Sequence, residues 1–125
     1  MRLNNDRGVG MGGIGLYNVD VNNGAWTDVD ITAFTSLTAT ALNPGSRIVD
    51  VSLRNTHATQ IIYIMLKYSG AEAVTAGIPV GAGETLNIDG LLLADDGAQT
   101  YAVSVQGSGA NTTGTLICGF QSGDY

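Results

Sequence analysis

Histidine and cysteine are almost missing from this sequence: each occurs once, as His57 and Cys118. One histidine is too few for the multi-histidine metal site of a cupin-type β protein. Serine triads and cysteine–histidine pairs would both have to use His57. That residue falls in the polar stretch Asn55-Thr56-His57-Ala58-Thr59, there is no Gly-x-Ser-x-Gly elbow, and Cys118 sits in the apolar run Leu116-Ile117-Cys118. A lone cysteine also excludes an intramolecular disulfide and a cysteine-only zinc site. The expectation is therefore a chain with no catalytic residues, no cofactor and no resident metal. Calcium, which needs only oxygen ligands, is the one metal alternative, with Asp28, Asp30, Asp89, Asp95 and Asp96 as the carboxylates on offer. Asp95-Asp96-Gly97 is also an ordinary turn sequence.

Positive charge is scarce as well. Five basic residues (Arg2, Arg7, Arg47, Arg54, Lys67) stand against eleven acidic ones, a net charge of −6. They form no cluster, so direct binding to a nucleic-acid backbone or an anionic membrane is not expected. Charged residues of both signs make up 13% of the chain, against about 25% in an average protein. Interface cores are depleted in charge, so this deficit is what a protein that works through contacts with other subunits would show. No apolar run approaches the roughly 20 residues of a membrane-spanning helix. The first residues, Met1-Arg2-Leu3-Asn4-Asn5-Asp6-Arg7, lack the apolar core of a signal peptide, so the expected site of synthesis is the cytoplasm.

What the sequence does have is glycine, 18 in 125 residues, and threonine throughout, with only two prolines. Such a composition suits short strands joined by glycine-dependent turns. From Trp26 onward a period of two dominates. Val29, Ile31 and Ala33 alternate with polar residues, as do Val49, Val51 and Leu53; Tyr101, Val103 and Val105 alternate with Ala102, Ser104 and Gln106, and Leu116, Cys118 and Phe120 with Thr115, Ile117 and Gly119. Asn55 to Thr59 is expected to be a hairpin connection. Ile61 to Leu66 is the most apolar stretch, and its alternate faces (Ile62, Ile64, Leu66, Tyr68 against Ile61, Tyr63, Met65, Lys67) predict a central strand covered on both sides. Ile78-Pro79-Val80 reads as an edge strand, since proline donates no ladder hydrogen bond. The expected fold is all-β: an antiparallel β-sandwich or jelly roll of about seven or eight strands.

Residues 1–25 differ from the rest. Gly8, Gly10, Gly12, Gly13, Gly15 and Gly24 punctuate them, with apolar residues between. So many glycines disfavour a helix, and the greasy side chains gain nothing by staying in water. The reading is an extended N-terminal arm (1–25) ahead of a sandwich domain (26–125). Met11, Ile14, Leu16 and Tyr17 would make contacts between chains, and Trp26 would anchor the root of the arm. On this reading, deletion of residues 1–20 leaves the domain folded. Gly8-x-Gly10-x-Gly12-Gly13 is not a nucleotide loop, because no Gly-Lys-Ser/Thr follows it.

The arm, the stretch Val51-Ser-Leu-Arg-Asn-Thr-His-Ala-Thr-Gln-Ile-Ile-Tyr-Ile64, and Ile78-Pro-Val-Gly-Ala-Gly-Glu-Thr-Leu-Asn-Ile88 together resemble the small β-sandwich structural proteins of tailed-bacteriophage virions, especially head decoration or cement proteins. The resemblance covers about half the chain through turn-and-strand patterns found in many sandwiches. It implies a homo-oligomer, commonly a trimer, that sits on the major capsid protein lattice at the virion surface and has no enzymatic role. The alternative is a ligand-binding module of a phage tail or fibre that recognises a carbohydrate or a host receptor.

Overall fold

The computed structural model describes residues 13–38, 47–68, 72–73, 77–90 and 101–121. Ten strands run through them: β1 (Gly13–Val21), β2 (Thr27–Asp30), β3 (Thr35–Ser36), β4 (Arg47–Asn55), β5 (Ile62–Tyr68), β6 (Glu72–Ala73), β7 (Ile78–Val80), β8 (Thr85–Ile88), β9 (Tyr101–Gly107) and β10 (Thr112–Gln121). The only helical element among the described residues is a single 3-10 turn, Ile31–Ala33. The strands form two antiparallel sheets, one in the order β3-β1-β10-β4-β8 and the other β2-β9-β5-β6, with β7 also on β5. With the two-residue strands β3 and β6 set aside, eight strands remain, β1-β10-β4-β8 facing β2-β9-β5-β7. Every connection between successive members of this set crosses from one sheet to the other, except β5 to β7, which stays within one sheet. That winding is a jelly roll, so the all-β sandwich expectation holds.

Alternation explains the core. Val19 and Val21 of β1, Val51 and Leu53 of β4, Ile62, Ile64 and Leu66 of β5, Val103 and Val105 of β9, and Leu116, Cys118 and Phe120 of β10 are all buried between the sheets. On a strand these are i, i+2 positions that share one face. Gly114 lets β10 and β5 approach closely: a Cβ there would lie 2.6 Å from Ile62 Cδ1 and 2.7 Å from the Arg54 carbonyl oxygen.

Four expectations need correcting. First, the arm does not extend to residue 25. Gly13–Val21 is an inner strand, paired with β10 along its whole length from Val21↔Thr112 to Gly13↔Phe120. Its odd-numbered side chains complete the core, so removal of residues 1–20 would take a strand out of the middle of a sheet. Residues 1–12 lie outside the described residues.

Second, Asn55 to Thr59 is not a hairpin, because β4 and β5 belong to different sheets. The chain arches across the top of the sandwich. Asn55 is fully buried there; its Nδ2 donates to the carbonyls of Gln60 (2.7 Å) and Val80 (2.9 Å), and its Oδ1 accepts from the His57 amide (2.9 Å).

Third, the strand that starts at Thr27 stops at Asp30. The Asp30 carboxylate accepts hydrogen bonds from both the amide and the hydroxyl of Thr32, at 2.9 Å each, an Asx turn that bends the backbone out of the ladder. Fourth, the buried partner near the start of β4 is Ile48 rather than Val49. The register shifts between Gly119 and Phe120, so Asp50 opposes Gly119 while Ile48 opposes Phe120. A bulge of this kind inserts one residue and reverses the side-chain parity beyond it.

Ile78–Val80 is a short strand paired with β5, as its proline predicted. Asn43-Pro44-Gly45, Leu91-Leu92-Leu93 and Asp95-Asp96-Gly97 lie outside the described residues.

Candidate interaction surface

On β1 the even-numbered side chains face away from the core. Ile14 is 43% exposed and Leu16 is half-buried. Leu16 pairs with Ile117 of β10 on one side and with Thr35 of β3 on the other. Just beyond β3, the Leu37 amide donates to the Ile14 carbonyl at 2.7 Å. This extends the ladder by one rung and stands Leu37, 53% exposed, beside Ile14. Ile14, Leu16, Leu37 and the half-buried Ile117 therefore form one apolar strip on the outer face of the sheet, at the end where β1 begins and β10 finishes.

Polar residues border the strip. Asp50 lies across Gly119 from Ile14, and its Oδ1 accepts the Gly119 amide at 2.7 Å. A strip of this kind is small, but it differs from scattered surface aliphatics because its members are neighbours on adjacent strands.

Of the residues named from sequence, Ile14 and Leu16 fall on this strip and Met11 lies outside the described residues. Tyr17 turns the other way: its ring packs on Phe34 (centroids 6.0 Å apart), which in turn meets Phe120 edge-on at 5.3 Å. It is a core-lining aromatic rather than a surface one. Leu37 was not singled out from the sequence, because nothing in Thr35-Ser36-Leu37-Thr38 shows that this short segment runs alongside β1.

Trp26 sits on a different surface, the outer face of the other sheet. It is 37% exposed, and its ring edge abuts Gly77, 3.0 Å from where a Cβ would stand, near Tyr63. Tyr63 and Met65 of the same face are half-buried, so this side of β5 is partly covered, as its composition predicted. Next to them Asp28 accepts from Lys67 Nζ at 2.8 Å and from the fully buried Ser104 hydroxyl. Burial alone would raise the Asp28 pKa, but the hydrogen bonds from Lys67 and Ser104, with the Lys67 charge, outweigh it and hold the carboxyl below its usual range.

The groups that ordinarily carry chemistry are engaged in structure. The His57 Nδ1 accepts the amides of Thr59 (3.1 Å) and Gln60 (2.9 Å), so this ring nitrogen holds the arch together. Cys118 is buried, and burial followed by the nearby Asp50 charge pushes its thiol pKa well up, away from the reactive thiolate. Among the described residues no three of His, Cys, Asp and Glu gather as a metal site, and no helix is long and apolar enough to cross a membrane.

No protein-family model matches this sequence, and no curated protein matches it either.

Proposed function

We propose that this chain is a non-enzymatic structural protein of a virus particle, a decoration or cement protein that forms a homo-oligomer, a trimer in the favoured form, on the capsid lattice. The observation that carries the reading is the pair Ile14 and Leu37, two large aliphatic side chains left exposed next to each other, where among the described residues Trp26 is the other exposed large apolar side chain. An aliphatic strip bordered by polar residues is what a subunit contact uses. Jelly rolls recur in capsid proteins, an analogy at the level of fold alone. The resemblance of Val51–Ile64 and Ile78–Ile88 to virion proteins points the same way. Many identical copies on a lattice would gain avidity from individually weak contacts.

The test has two parts. Mass spectrometry of purified particles from the source of this sequence should find the chain at high copy number, and light scattering of the isolated protein should find an oligomer. A chain absent from particles and monomeric in solution would contradict the proposal.

A second reading, a glycan-binding module, is favoured by Trp26, an exposed indole with Asp28 and Gln106 on the same sheet face. Aromatic faces beside hydrogen-bonding side chains suit sugar rings. A glycan array separates the two readings: binding that Trp26→Ala abolishes would favour the second.

A further inference from the structure

Gly13, the first residue of β1, has φ +99°, a conformation open to glycine and strained for other residues. Residues 1–12 join the domain at this point, one residue from Ile14 and beside the exposed strip.

Their sequence fits that strip. Gly8, Gly10 and Gly12 alternate with Val9 and Met11, so an extended segment would carry apolar side chains on one face and none on the other. Val9 and Met11 are two residues apart, the same spacing as Ile14 and Leu16, about 7 Å in an extended chain. Arg7, one of only five basic residues, precedes them. On the receiving face the exposed Asp50 lies two strands from Ile14, about 10 Å away.

Met11 cannot easily supply this cover within its own chain. Layers packed face to face lie about 10 Å apart, and the three residues from Met11 to Ile14 reach about 10–11 Å only when fully stretched. Such a stretch leaves no length for the reversal that would lay Met11 over its own Ile14. Pairing in the plane of the sheet is closed as well, since the Ile14 carbonyl already accepts Leu37 and β10 occupies the other side. A neighbouring copy has neither restriction.

We infer that residues 7–11 of one copy lie across the Ile14–Leu16–Leu37 strip of a second copy, with Val9 and Met11 on the aliphatic side chains and Arg7 toward Asp50. This rests on the homo-oligomer reading above. The contact joins two different surfaces, so it is heterologous, the type that builds a trimer when its rotation closes the ring.

The experiment is cysteine cross-linking. Met11→Cys and Leu37→Cys are made as separate variants, one carrying a size tag, and are refolded together and oxidised; Val9→Cys with Ile14→Cys is the second pair. The native Cys118 is buried and stays out of the reaction. The expected product is a tagged–untagged disulfide dimer that neither variant gives alone. Three results overturn the inference while leaving the homo-oligomer reading intact: a Leu37→Cys protein that links to itself, a Met11→Cys/Leu37→Cys double variant that closes only within one chain, and an oligomer by light scattering with no cross-link in either pair. A monomer by light scattering overturns both.

Discussion

The Leu37 amide donates to the Ile14 carbonyl at 2.7 Å, and this one hydrogen bond places the two most exposed large aliphatic side chains among the described residues side by side. Neither contributes to the core. Replacing Leu37 by Asp should therefore leave the stability of the single subunit within about 0.5 kcal/mol of the original, as for other surface changes, while any further loss in apparent stability reflects lost assembly and grows with protein concentration. Urea unfolding at several protein concentrations checks this; a loss of several kcal/mol that does not depend on concentration would mean that Leu37 packs within its own subunit.

Asn55 occupies the opposite role, a polar side chain with no exposure at all. It ties the β4–β5 arch to the end of β7 through Gln60 and Val80, while its backbone carbonyl accepts the Gly83 amide at 3.0 Å. Asn55→Ala would strand two carbonyls and one amide in the interior. The expected loss is about 2–4 kcal/mol, since each buried group left unsatisfied costs roughly 1–3 kcal/mol before relaxation. A urea midpoint unchanged from the parent would show that water reaches these groups.

Gly114 tests the closeness of the two sheets. The Cβ of an alanine would meet the Arg54 carbonyl at 2.7 Å and Ile62 Cδ1 at 2.6 Å, and the backbone group cannot swing aside. Gly114→Ala should destabilise by about 1–3 kcal/mol through overpacking, read from the same urea curves. A neutral or stabilising result would place the sheets further apart than described.

Asp28 gives a pH dependence with a definite sign. Its carboxyl is held below the ordinary range in the folded state by Lys67 and Ser104. The stability it contributes is then fully present above the unfolded-state pKa and is lost as pH falls through the folded one. The gap in urea midpoint between the parent and Asp28→Asn should shrink on acidification from roughly pH 5 to 2. A gap that widens on acidification would contradict the assigned contacts.

Cys118 should resist thiol reagents in the native protein and react once urea unfolds it, because its side chain is sealed and its thiolate disfavoured. Rapid labelling in native buffer would indicate that β10 opens.

The alternation of Leu116, Cys118 and Phe120, or of Ile62, Ile64 and Leu66, gave the buried faces directly from sequence, because a period of two has one meaning wherever a strand has one covered side. Connections were harder to read. Asn55 to Thr59 carries the polar residues of a hairpin, yet the same residues serve an arch between sheets, and only the partners of β4 and β5 tell the two apart. The β4 bulge that moves Ile48 inward leaves no mark in the pattern, since Ile48 and Val49 are both apolar. The glycines of residues 13–15 suggested an arm; in fact Gly15 lies buried opposite Cys118 in the middle of a sheet. Ile14 was visible as part of a surface contact, but Leu37 was not, because its significance comes from a neighbour 23 positions away in the sequence.

Light scattering of the parent chain and of Leu37→Asp, at equal micromolar concentration, measures the role of the Ile14–Leu37 strip most directly. The parent should run at a multiple of its 12.9 kDa chain mass, and the variant should fall to a single chain that keeps the β-sheet circular-dichroism spectrum of the parent. Identical masses for the two proteins, whether both single or both assembled, would contradict the assignment of this strip as the subunit contact.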